Sequence, residues 1–114
     1  MRLIDSHCHL DVAEFSADLP EILERGRKNG VAEFVVPAID FASWPGLQDL
    51  ALRYPEIKPA FGLHPMFLTG YRPAHLDALP DWLQKPECVA VGECGLDFFV
   101  PGLDANIQET VFIE

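Results

Sequence analysis

The chain predicts an α/β fold: a parallel βα repeat of about four units, equal to the N-terminal half of a TIM-like (β/α)8 barrel. Three observations predict it. Short apolar runs alternate with helix-patterned segments, and that alternation favours a parallel sheet over separate all-α or all-β layers. The runs are almost continuously apolar, as in strands covered on both faces. Polar, chemistry-bearing side chains cluster just after each run, and in a parallel sheet all of those positions share one edge. Four units are half of an eight-fold barrel, which typically takes about 250 residues.

RLIDSH reads as the first strand, with Leu3 and Ile4 apolar and turn-prone Asp5 and Ser6 after them. DLPEILERGRKNG reads as a helix. Asp18 is its candidate cap and Pro20 sits in its first turn. Glu21 and Glu24 suit its N-terminal end, and Arg25, Arg27 and Lys28 suit the opposite pole. Leu19, Ile22 and Leu23 form its apolar face, and Gly30 stops it. Residues 32–39, AEFVVPAI, are the second strand. SWPGLQDLALRYP is the second helix, with Ser43 as cap, Pro45 at its start and Pro55 beyond its end. Residues 57–63, IKPAFGL, form the third strand. Pro73 to Gln84 hold a third helix with Leu76, Leu79 and Leu83 on one side. Residues 88–94, CVAVGEC, read as the fourth strand, and a fourth helix begins at Ala105. Residues 1–114 contain no linker-like or low-complexity stretch, so they read as a single, incomplete domain.

Apolar content of 49% against 23% charged describes a chain that can bury a core, not a disordered one. Cys8, Cys88 and Cys94 form no CxxC pair; an odd count without a secretory leader points to reduced thiols and a cytoplasmic location. MRLIDSHCHL has a single arginine and no long apolar core, so no signal peptide is expected, and no run is long enough to cross a membrane. A net charge of −10 argues against a broad cationic nucleic-acid surface. It leaves room for a small site that meets phosphates through bound metal.

In the stretch IDSHCHLD, residues i and i+2 of an extended chain face the same way, so His7 and His9 aim both imidazoles to one side and Cys8 to the other. Two such imidazoles can grip one metal ion. They can equally be a hydrogen-bonded pair, since two histidines do not complete a site. The other strand ends deliver Asp40, then His64 in GLHP, then Glu93 and Asp97 in GECGLD.

Taken together, IDSHCHLD, AFGLHP and AVGECGLD resemble the N-terminal part of the TatD family of metal-dependent hydrolases, within the amidohydrolase-like group of TIM-barrel enzymes. The resemblance covers essentially all 114 residues. It implies His7 and His9 as the first metal-binding pair. It implies Glu93 as the catalytic carboxylate that ligates, and in many members bridges, two divalent ions such as Zn, Mg or Mn. It puts His64 near the substrate phosphate and gives Asp97 a mostly structural role. The implied activity is that of a nuclease, a 3′–5′ exodeoxyribonuclease or phosphodiesterase acting on the 3′ end of DNA or RNA. Two cations about 3.5–4 Å apart would clamp the attacking and leaving oxygens. Imidazole and carboxylate suit zinc or manganese better than magnesium.

The family takes its remaining ligands, two histidines and an aspartate, from later strands, and these are not among residues 1–114. His75 matches no family ligand. The chain alone is therefore expected to hold only part of the site. Two alternatives follow: an inactive truncated fragment with residual metal binding, or a related enzyme acting on an ester or amide. A half barrel would also expose an apolar inner face and unpaired strand edges, a surface for self-association.

Several residues keep two readings. Glu93 can be a salt-bridged carboxylate at the barrel mouth, and His64 before Pro65 can simply cap a turn. Asp5 and Asp11 can orient the imidazoles, or serve as turn and cap residues, which the local sequence favours slightly. Asp40 reads as a turn or cap residue. Trp44, Trp82, Cys8 and Cys88 read as core. Cys94 could offer a soft ligand beside Glu93, but reads as a small hydrophobe within a strand.

Overall fold

A computed structural model describes residues 1–114. Four strands and four helices alternate along the chain: β1 Leu3–Asp5, α1 Leu19–Lys28, β2 Val31–Pro37, α2 Trp44–Arg53, β3 Ile57–Phe61, α3 Pro73–Leu83, β4 Ala90–Val91 and α4 Ala105–Ile113. The strands pair in chain order, β1-β2-β3-β4, and every pair is parallel. This is the expected half of a βα barrel.

The core lies between the sheet and the helices. Leu19 and Leu23 of α1, Phe34 and Val36 of β2, Trp44, Leu47 and Ala51 of α2, and Ile57 and Phe61 of β3 are all buried in one cluster. Trp44 also donates its indole N–H to the Gly62 carbonyl at 3.1 Å, which ties the start of α2 to the end of β3. Trp82 is half-buried and packs its ring 5.1 Å from Phe61 and 5.7 Å from Trp44.

Two prolines stand in the central strands, where a ladder donor would normally be lost. The hydrogen bonds show why they are tolerated. Val89 and Gly92 donate to the carbonyls of Pro59 and Phe61, so these β3 residues face the β4 side. The missing N–H of Pro59 thus faces a strand that begins only at Ala90. Cys8 donates to Val35, so Val35 and Pro37 face the first strand, which has already ended at Asp5.

Helix starts differ from expectation. Asp18 makes no side-chain cap bond, and neither does Ser43. Asp40 instead accepts from the Ser43 amide at 2.9 Å, closing a short 3-10 turn, Phe41–Ser43, that leads into α2. Asp104 caps α4 by accepting from Asn106 and Ile107. Gly30 ends α1 with φ at +88°, a conformation that favours glycine.

The fourth strand is shorter than the expected 88–94: only Ala90–Val91 form it, both exposed. It pairs with β3 on one side only, so it has one ladder to hold it and nothing on its outer side. Cys94 consequently lies in an exposed loop and is not the buried small hydrophobe expected. Cys8 and Cys88 are half-buried. Leu3, Ile4, Val89 and Val91 are exposed at the two sheet edges, with Phe98, Phe99, Phe112 and Ile113 also open to solvent. No helix is long and apolar enough to cross a membrane.

Candidate metal centre

The strand ends converge as the parallel topology requires. β1 stops at Asp5, and the Asp5 carboxylate accepts from the His7 amide at 3.1 Å, shaping the turn. Cys8 still pairs with Val35, so the chain stays laterally anchored past the strand and the i, i+2 alternation persists. His7 and His9 therefore face each other, with their Nε2 atoms 3.3 Å apart.

Glu93 closes the cluster from the far edge of the sheet. One carboxylate oxygen lies 3.5 Å from His7 Nε2 and 3.9 Å from His64 Nε2, and the other lies 3.9 Å from His9 Nε2. A donor atom from each of His7, His9 and Glu93 falls within 4.8 Å of the others. His64 caps a turn, as one of its readings expects, and its ring also stands beside Glu93. Its Nδ1 accepts from the Met66 amide at 3.1 Å, capping the 3-10 turn Pro65–Phe67. A neutral ring accepting at Nδ1 carries its proton on Nε2, the atom turned toward Glu93.

The approach of Glu93 depends on two glycines whose role the sequence pattern does not announce. A Cβ on Gly62 would meet the Glu93 carbonyl oxygen at 2.5 Å and the Gly92 carbonyl carbon at 2.8 Å. A Cβ on Gly92 would collide with the Ala60 carbonyl. The ends of β3 and β4 thus come together only because both positions lack a side chain, which seats His64 and Glu93 side by side. The one visible signal is a glycine close before each site residue, two positions ahead of His64 in GLHP and one ahead of Glu93 in GEC.

Asp97 lies outside the cluster. Its carboxylate accepts from the Phe99 and Val100 amides. Its backbone N–H and C=O bond the side chain of buried Gln108, at 2.6 and 2.9 Å. Asp97 therefore holds the loop after β4 against α4, and Gln108 is its unforeseen partner. His75 is also elsewhere, stacked on Phe41 with ring centroids 4.2 Å apart.

The electrostatics single out a partly desolvated acidic pocket. Burial raises the Asp11 carboxyl above its ordinary range; nearby Asp40 and Glu93 add to the effect, and His9 opposes it. Burial, then Asp5 and Asp11, pushes the Cys8 thiol up to about 12, and its Sγ points to the Val35 carbonyl, outside the group of donors formed by His7, His9 and Glu93. Glu93 Oε2, His9 Nδ1 and Asp11 Oδ1 are buried without a hydrogen-bond partner. Buried polar atoms are ordinarily satisfied. Two facing imidazole nitrogens and a carboxylate with an unpartnered oxygen are the donor set of a divalent-cation site, and the residues present fit one.

Comparisons with known proteins identify the family. The family described as TatD related DNase matches residues 4–114. One similar relative, named "Uncharacterized metal-dependent hydrolase YjjV" in Escherichia coli (strain K12), is 38% identical over 100 residues, covering 86% of this chain and 39% of that protein. The "3'-5' ssDNA/RNA exonuclease TatD" of Salmonella typhimurium is 31% identical over 96 residues, covering 84% of this chain and 37% of its own length. The crystal structure of YjjV, a TatD homolog from Escherichia coli K12, superposes with a TM-score of 0.89 at 34% identity, over 98% of this chain and 44% of that one. This chain thus spans less than half the length of these relatives. Residues 4–114 carry the family's pattern along nearly their whole course, and the chain belongs to the TatD family of related DNases.

Proposed function

We propose that residues 1–114 act as one domain contributing His7, His9 and Glu93 to a divalent-metal site, and that the enzyme it serves is a 3′–5′ exonuclease on DNA or RNA. The observation that carries this reading is the convergence of three donor side chains from opposite edges of the sheet. The relative named as a single-stranded DNA/RNA exonuclease supports the substrate class.

His7, His9 and Glu93 would hold the metal, zinc or manganese by ligand type, and Glu93 could serve two ions with its two oxygens. A divalent cation held there supplies positive charge to a phosphodiester and acidifies water. His64, with its proton on Nε2, donates toward a phosphate oxygen beside Glu93. Asp5 sets the turn that aims His7, and Gly62 and Gly92 let Glu93 close on His64. Three free cysteines support a reducing, cytoplasmic location. The exposed strand edges support self-association of this chain.

A 3′-end assay on a 5′-labelled single strand tests the reading. Shortening stimulated by Mn²⁺ or Zn²⁺ is expected, abolished in His7→Ala, His9→Ala and Glu93→Gln with the fold intact by circular dichroism. Full activity in those variants would sink it. The net charge of −10 favours a second reading in which the same site cleaves an ester or amide. Turnover of such substrates without phosphodiester cleavage would select it. Metal binding with no turnover of any kind would leave this chain as a metal-binding segment only.

A further inference from the structure

A groove of about 280 Å³ opens between the loop after β2 and the loop after β3. It sits over the two middle βα units, away from both sheet edges. Asp40, Phe41, Phe67, Tyr71, Arg72 and His75 line it, above a leucine floor. Four of these six carry rings. Phe41 and His75 lie parallel, 4° apart in plane and 4.2 Å between centroids, and Tyr71 meets His75 edge-on at 6.1 Å. Phe67 is exposed and packs its ring 5.3 Å from that of His64. His64 in turn reaches Glu93, so the groove is one side chain removed from the candidate metal centre.

The polar groups are divided between the two functions that a nucleotide needs. Arg72 is exposed and forms no ion pair, in a chain whose net charge is −10. A guanidinium in that setting suits a phosphate. Asp40 spends one carboxylate oxygen on the Ser43 amide, and its other oxygen has no hydrogen bond. That oxygen can accept from a base N–H. Sequence-tolerant binding of single strands rests on this pairing of aromatic faces with backbone-tracking cations.

We propose that this groove is a nucleotide subsite: an unpaired base of the substrate strand stacks on Phe67 and Tyr71 while Arg72 holds its phosphate. It rests on the nucleic-acid reading above and extends it, because a strand seated here would pass its next phosphate over His64 toward Glu93.

Binding of a 5′-labelled oligothymidylate to the chain, read by fluorescence anisotropy in EDTA, tests the subsite without turnover. An abasic strand of equal length is the comparison. The base-bearing strand is expected to bind about tenfold tighter than the abasic one. Phe67→Leu keeps apolar bulk, removes the ring, and should erase that difference, while Phe67→Tyr should keep it. Arg72→Gln should weaken both strands alike. Equal binding of the two strands by the unaltered chain, or wild-type binding by Phe67→Leu, would overturn the subsite. Strand shortening in the metal-stimulated assay without base-dependent binding would remove the subsite and keep the nuclease reading. Base-dependent binding without shortening would do the reverse.

Discussion

Gly62 and Gly92 decide how near Glu93 comes to His64, and their effect can be separated from ordinary glycine behaviour. An added Cβ at Gly62 presses on backbone atoms of Glu93 and Gly92, which cannot swing away as a side-chain tip could. Gly62→Ala is expected to cost about 1–3 kcal/mol, in the range of overpacked sites, and to weaken metal binding along with it. Gly46, in α2, has nothing within 4 Å of where an added methyl group would stand, so Gly46→Ala should stabilise by up to about 1 kcal/mol through helix propensity. Chemical melts of the two variants check the pair; equal shifts of the same sign would show that the close approach is unimportant. His7, His9, His64 and Glu93 are legible in the sequence because their chemistry is local and they follow apolar runs. The glycines are less legible, because their reason is a contact between segments some thirty positions apart in the chain, seen only once the strands are paired.

At the scale of elements, the centre of the sheet follows its sequence and the edges do not. β2 and β3 are buried on the helix side and keep nearly their expected lengths. β1 and β4 end early because each has a partner on one side only, a property of the sheet and not of residues 88–94 themselves. Asp18 and Ser43 depart from their expected capping roles for a related reason. A short polar side chain is common before a helix, but whether it turns inward depends on the approach of the preceding loop. The same edges carry a prediction. The outer sides of β1 and β4 have no neighbouring strand, and the apolar side chains of Leu3, Ile4, Val89 and Val91 are exposed at those edges. Sedimentation velocity of this chain should give species heavier than 12.7 kDa that dissociate on dilution. A purely monomeric chain at tens of micromolar concentration would remove self-association from the account.

At the scale of the whole molecule, four βα units place one cluster of donors at one edge. The radius of gyration, 15.0 Å, exceeds the roughly 13 Å expected of a compact chain of this length, as an open, curved sheet requires. The fold class is legible because a βα repeat with apolar strands admits few arrangements. Which strand ends meet then follows from topology: β1 and β4 lie at opposite edges, and only curvature brings His7 and His9 within reach of Glu93. We propose these three side chains as a divalent-cation site. Calorimetric titration of Zn²⁺ and Mn²⁺ into the chain tests it most directly. Saturable binding is predicted, weakened about a hundredfold or more by His7→Ala, His9→Ala or Glu93→Gln, since loss even of a ligand's supporting partner costs 10–100-fold. Cys94→Ala, which removes the exposed thiol beside Glu93, should leave it unchanged. Undiminished affinity in the three ligand variants, or loss of binding in Cys94→Ala alone, would contradict the account.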